Sequence, residues 1–414
     1  LGPYESNWNP KHSLPEELDR MRRLCSLVVQ RYRDFANLGG LHLNWYPTLK
    51  GYWEGNPCRD GNAGPRRKAM YEKAWALTGP PPKVPKDYGK KLARMKPTET
   101  EYRSEKAQQL RDWNVLYRDN VNGALPRAYE AWTAGARELG DYIYSSWVPV
   151  NWFRRSGYYG PVYFKTLPAV SLLCYTDYGF SAFQAPWAID YYGAGVRDKP
   201  LWLSIVSTTR GTMVRHAFLP VARGASAVDF GAWRGSLNDR STLMNFLEHY
   251  GPYFTGLEPV SEIAILGSHR QIVNEGGGPG CWGGHTGGPH FSLYTDLWYA
   301  GRPATFLTDQ EVTPERLKQF KALFIVRQRV PLHEAGMRAL KEFEQAGGIL
   351  YKDGGTAPFY PGKTFELKPD GKKRYPGPYK NMDPTHVGAW AHYLSVAGQL
   401  DELLRPLGRP TVKA

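Results

Sequence analysis

The chain has 414 residues with 53 Lys and Arg against 39 Asp and Glu, a formal net charge of +14. That length exceeds one compact domain and suits two or three. No run of 18 apolar residues is present, which excludes an apolar helical membrane span, and the positive balance points to polyanionic partners or surfaces.

Half of the net charge is concentrated in one place. Between Arg59 and Lys106 there are 13 basic and six acidic residues, an excess of seven. Such a run is a solvated loop or an electropositive rim that attracts an anionic glycan. Aromatic residues make up 14% of the chain, including 14 Trp and 27 Tyr. A core cannot absorb them all, so some are expected on open surfaces or in clefts. The four cysteines, Cys25, Cys58, Cys174 and Cys281, contain no CxxC pair, which argues against a zinc knuckle or a thioredoxin-type motif. Cys25 and Cys174 read as buried thiols. Cys58 and Cys281 lie in Gly/Pro-rich loops, where a disulfide stays open.

In chain order, Ser13, Pro15, Glu16 and Glu17 open a helix expected to run to about Phe35. Asn37-Leu-Gly-Gly40 stops it, and Leu41–Trp45 reads as a strand. Residues 47–106 form a long insertion with helical patches near 66–76 and 101–115. A helix at about 122–139 leads to a strand at 141–145. An aromatic loop at 150–164 then leads to a strand at 169–175, with Asp177 just beyond it. A short helix near 182–191 leads to a strand at 201–206, and an amphipathic helix at 210–222 to a strand at 226–230.

Strands separated by helices predict a parallel sheet. Five are visible where a (β/α)8 barrel needs eight, and Leu1–Glu5 is the tail of one more at most. Residues 1–257 are therefore expected to form an N-terminally incomplete (β/α)8-type barrel, with its basic insertion at about 47–120.

A second α/β pattern follows. Strands are expected at 263–266, 304–307, 322–326 and 349–351. Helices are expected at 291–300, 313–320 and 332–346, the last stopped by Gly347-Gly348. This βαβαβαβ run predicts a flavodoxin-like, doubly wound α/β domain over 258–361. Residues 362–414 then read as an extension, a loop to 386 followed by a helix to about Leu404.

The cofactor motifs fail on inspection. Gly276–Gly280 does not open directly off a strand, as a dinucleotide fingerprint requires. Cys281, His285 and His290, in the Gly-rich loop, lack an attested zinc spacing. His42 and His216 read as structural histidines. No cofactor and no metal are expected, and no nucleic-acid reader motif accompanies the charge.

Three stretches carry a resemblance. Lys199-Pro-Leu-Trp-Leu203, Thr212–Asp229 and Glu334–Leu350 resemble glycoside hydrolase family 42, the β-galactosidases with a retaining (β/α)8 barrel. The first is similar to the family's seventh barrel strand, the second to its next helix and eighth strand. The third is similar to the last helix and strand of its glutamine-amidotransferase-like domain. The resemblance implies a carbohydrate substrate, a homo-oligomer (a trimer is common in the family) and an extracellular or periplasmic place. It also implies a catalytically silent second domain, and no Cys stands at the strand–helix elbow here.

The chemistry departs from the family pattern. Retaining glycosidases use two carboxylates about 5–5.5 Å apart. The family's acid/base follows Asn after the fourth strand, but here Asn44 is followed by Trp45. The nucleophile should close the seventh strand, but Leu203–Thr209 offers only hydroxyls. Substitutes at inferred strand ends are Asp177, flanked by Tyr175 and Tyr178, then Glu54 in Gly51-Tyr-Trp-Glu-Gly55, then Glu5 and Asp229. Asn44, Trp45, Tyr46, Trp53, Trp147, Trp152, Tyr175, Tyr178, Trp202 and Trp233 are the expected sugar-binding set. Core packing at the barrel mouth is the equal alternative for these aromatics. Two functions follow: a glycoside hydrolase acting on a poly- or oligosaccharide, anionic ones included, or a non-catalytic descendant that binds glycan or serves an extracellular structure.

Overall fold

Pro15 and two acids open the first helix, α1 (Pro15–Tyr32), and Arg31 lies in its last turn, both favourable to the helix dipole. The structure, a computed structural model, describes residues 15–32, 34, 40–43, 143–149, 169–175, 184–194, 201–207, 221–233, 237–254, 261–271, 287–368 and 396–408.

Two parallel sheets organise these residues. The first contains β1 (Gly40–Leu43), β2 (Ile143–Pro149), β3 (Ala169–Tyr175), β4 (Leu201–Ser207) and β5 (Ala227–Trp233). Every pairing is parallel and the order is β1-β2-β3-β4-β5. Each strand lies beside its predecessor, the winding of a TIM-barrel-like fold rather than of an open sheet that reverses. Ser145 pairs with Ala169, Val170 with Leu201 and Trp202 with Ala227. Each of these later strands thus starts one or two residues further along its partner, the stagger that tilts strands in a barrel.

The expected strand 169–175 is met residue for residue. β5 outlasts its expected end at Phe230 because Gly231 is bypassed: Ile205 pairs with Phe230, and Val206 with Ala232. A bulge absorbs the glycine that reads as a breaker in the sequence. Helix α2 (Gln184–Gly193) links β3 to β4.

Helix α3 (Leu237–Tyr250) lies in a stretch for which the sequence predicts no element. Ser236 and Asp239 have the spacing of a capping box. The apolar residues give no clean stripe, however: Leu243 is buried while Met244, Phe246 and Tyr250 are exposed.

The second sheet contains β6 (Ile263–Leu266), β7 (Ala304–Leu307), β8 (Ala322–Ile325), β9 (Ile349–Asp353) and β10 (Lys363–Phe365). All pairings are parallel and the order is β7-β6-β8-β9-β10, so the winding reverses once, between β6 and β8. β6, β7 and β8 are buried at every position. That explains their continuous apolar sequences, since both faces are covered.

Around them run α4 (Gly287–Tyr299), the short α5 (Pro314–Leu317) and α6 (Glu334–Gln345). Thr313 caps α5 by accepting the Arg316 N–H at 3.2 Å, with Pro314 in the first turn. α6 buries Gly336, Ala339, Leu340 and Phe343, one stripe at helical spacing. Ala339, Leu340 and Phe343 belong to one core with Leu266, Leu307, Leu323 and Ile325. Gly347, at φ 94°, terminates the helix.

Two expectations are corrected here. Residues 363–365, read as loop, form β10. Only three residues long and following Pro361-Gly362, it gives little period-2 signal, yet Phe365 packs edge-on against Phe324 at 5.2 Å. His290, read as a loop residue, lies in the first turn of α4, because the helix opens on Gly287-Gly-Pro and Pro is tolerated there.

Candidate functional site

The parallel winding brings the carboxyl ends of the first sheet to one edge, closed by Leu43, Pro149, Tyr175, Ser207 and Trp233. Tyr175 pairs with Val206, and Ser207 with Trp233. Tyr175 and Trp233 therefore flank the end of β4 on its two neighbouring strands. This is the edge at which barrel enzymes place their chemistry, and the Gly231 bulge lies two residues short of it.

The register moves two expected strand-end residues inward. Asp229 pairs with Ser204 and lies four residues before the end of β5, about 13 Å at the rise of a parallel strand. Trp202 is the second residue of β4, at its amino end. It shares one row of the sheet with Trp147 through Ser171. Trp147 lies two residues before the end of β2. Glu5, Asn44, Trp45, Tyr46, Trp53, Glu54, Trp152, Asp177 and Tyr178 lie outside the described residues. So do Cys58, Cys281, His285 and the basic insertion. In sequence, Asn44 follows the last residue of β1, and Asp177 comes two residues after the last of β3.

A polar cluster that the sequence does not announce lies where the two sheet units meet. Asp190, in α2, is 3% exposed. Arg223, two residues before the buried Ala225 that leads into β5, donates through Nε to Asp190 Oδ1 at 3.0 Å and through Nη2 to Oδ2. Tyr294, in α4 of the second unit, donates its hydroxyl to Oδ2 at 2.6 Å. The Arg223 guanidinium also lies over the Trp298 ring, 5.1 Å from its centroid.

Aromatic packing extends the junction. Trp187 stacks on Tyr191 at 4.9 Å, and both meet Phe306 of β7 edge-on. Burial is the largest influence on Arg223 and opposes its charge, but the charge of Asp190, the field of Tyr294 and the hydrogen bond to Asp190 together outweigh it, and the pKa is raised. Burial, followed by the carboxylate of Asp190, pushes Tyr294 well above its ordinary value, so it stays a donor.

Both Asp190 oxygens are occupied, and Asp190 and Tyr294 are buried, so the cluster reads as a dock between the two units rather than a substrate site. Its partners are 33 and 104 residues from Asp190, beyond any motif. The available signal is Asp190 itself, a charge within Trp187-Ala-Ile-Asp-Tyr-Tyr192, which demands a partner once buried.

Among the described residues no group of three or more metal-ligating side chains occurs, and no helix is long and apolar enough to cross a membrane. No family model and no curated protein matches the chain by sequence. Solved structures do match by fold. The β-galactosidase of Rahnella sp. R3 aligns over 83% of this chain and 55% of its own, at TM-score 0.55 and 14% identity. Gan42B, a GH42 β-galactosidase from G. stearothermophilus, aligns over 83% and 56% at TM-score 0.54 and 13% identity. The β-galactosidase of the haloarchaeon Halorubrum lacusprofundi aligns over 85% and 58% at TM-score 0.54 and 13% identity. The chain thus spans somewhat more than half the length of these relatives, and its fold is GH42-like.

Proposed function

We propose that the chain is a glycoside hydrolase-like protein acting on a poly- or oligosaccharide at the carboxyl edge of the first sheet. One observation carries this reading. Five parallel strands in sequential order end on one edge, in a chain whose fold neighbours are β-galactosidases. In this reading a carboxylic acid protonates the leaving oxygen while a second carboxylate attacks the sugar or activates water. Asp177 and Glu54 are the first choices for the pair, followed by Glu5; Asp229 ranks last because of its place inside β5.

Asn44, Trp45, Tyr46, Trp53, Trp147, Trp152, Tyr175, Tyr178 and Trp233 would supply sugar contacts, and the excess of Lys and Arg favours an anionic glycan. Trp202, at the far end of β4, fits a packing role better. The order β7-β6-β8-β9-β10 supports reading the second sheet as the flavodoxin-like, amidotransferase-like domain. A homo-oligomer outside the cytoplasm is part of the same proposal.

A second reading has its own support. β4 runs Leu-Trp-Leu-Ser-Ile-Val-Ser with no carboxylate, which favours a non-catalytic glycan-binding descendant. Release of reducing sugar from neutral, uronic and sulfated polysaccharides separates the two. Release by the wild-type chain that falls in Asp177→Asn and Glu54→Gln supports the hydrolase. Saturable glycan binding without release supports the binding protein.

A further inference from the structure

At the carboxyl end of β8 the backbone takes a course that non-glycine residues rarely adopt. Arg327 has φ 53°, the one positive value at a non-glycine position among the described residues. Such strain persists only where the surroundings impose it, and it gathers at functional sites.

The surroundings are specific. Asp353, the last residue of β9, accepts the Arg327 N–H through Oδ1 at 2.8 Å, and its Oδ2 lies 3.1 Å from Arg327 Nε. The Thr356 hydroxyl lies 2.7 Å from the same Oδ1 and accepts the Gln328 N–H at 3.2 Å. The Arg327 side chain lies against the bare backbone of Gly355, where any Cβ would overlap its Cδ. The ion pair with Asp353 and the contact with Gly355 thus hold one edge of the guanidinium, although Nε itself makes no well-aligned hydrogen bond among the described residues. The Nη groups have no protein partner among the described residues, and the side chain is 41% exposed.

The place matters as much as the geometry. The sheet order reverses between β6 and β8, and open α/β sheets bind ligands outside the carboxyl ends at such a switch. α4 begins on this edge, and its His290 is 2% exposed with Nε2 unpartnered among the described residues. A hydrogen bond to Val326 and the field of Asp353 place His290 beside the same strand end. A strained residue, an anchored donor fork and an unsatisfied buried nitrogen thus gather around one switch point.

We propose that this edge of the second sheet is an oxyanion site, with Arg327 receiving the phosphate or carboxylate group of a small ligand through its two Nη donors. Guanidinium and oxyanion match in planar, two-point geometry, and Asp353 holds the fork in place. The site is separate from the sugar chemistry proposed for the first sheet and does not depend on it.

Calorimetric titration of the full chain tests it, with inorganic phosphate in one arm and glucuronate in the other, at constant ionic strength against a chloride control. Saturable binding of phosphate alone identifies a phosphate ligand, and of glucuronate alone an anionic sugar. Arg327→Gln should weaken the binding at least tenfold, and Arg327→Lys, which keeps the charge but loses the fork, by a smaller factor. Circular dichroism establishes that each variant is folded, and Arg327→Lys carries the comparison should Arg327→Gln fail to fold. Absence of saturable binding of either anion, or wild-type affinity in the folded variants, overturns the site.

Discussion

Tyr294 donates its hydroxyl to Asp190 at 2.6 Å across 104 residues of sequence, tying the second sheet unit to a carboxylate of the first. Asp190→Asn leaves the guanidinium of Arg223 buried without its counter-charge, and should cost about 3–5 kcal/mol of unfolding free energy. Tyr294→Phe removes one hydrogen bond to a charged acceptor and should cost about 2 kcal/mol. The two costs should not add, since both changes act on the same carboxylate. Urea unfolding of the single and double variants measures this, and strict additivity would refute a shared network.

His290 should make the fold sensitive to mild acid. Burial drives its pKa from 6.5 down to about 4, against the pull of Asp353 and a hydrogen bond to Val326. The unfolded chain therefore takes up this proton first as pH falls. Its contribution is complete above pH 6.5, declines between 6.5 and about 4, and stays lost below that. The loss amounts to about 3 kcal/mol. His290→Leu should flatten that part of the stability curve, and an unchanged slope in the variant would assign the effect elsewhere.

Two left-handed glycines should respond differently to the same change. At Gly362, φ 112°, an added Cβ would sit 2.8 Å from the Leu350 carbonyl oxygen, so strain and collision combine. Gly362→Ala should cost about 3 kcal/mol and loosen β10. At Gly301, φ 65°, nothing lies within 4 Å, and the cost should be about 1 kcal/mol of strain alone. Melting temperatures of the two variants test the ranking, and equal losses would count against it.

For the hydrolase, Asp177→Asn and Glu54→Gln should each lower kcat/KM about a hundredfold or more if they are the acid and its partner. Asp229→Asn should change it far less, given its place inside β5. Initial rates on the substrate that wild type cleaves provide the measurement. A large loss in Asp229→Asn alone would reverse the ranking.

Much of the fold was legible where burial on both faces writes an apolar run. Ile263–Leu266 and Ala304–Leu307 are strands with the expected limits, and α6 followed from its single buried stripe. Legibility failed where local and global preferences part. Gly231 reads as a stop yet sits in a bulge. α3 exposes apolar residues and hides its period. β10 is too short to alternate. Of the expected sugar site, the strand order and the positions of Tyr175 and Trp233 at one edge could be placed. The junction of Asp190, Arg223 and Tyr294 could not be foreseen, because long-range pairing of buried charge leaves no spacing to find.

That junction also governs how the chain can be divided. A break between β5 and β6 would leave Asp190 and Arg223 on one fragment, stripped of the phenol and indole that shield them, and Tyr294 and Trp298 bare on the other. Neither half would be a clean module. Fragment complementation in trans, with two severed pieces recovering a shared aromatic and ionic seam, is the behaviour such a chain should display.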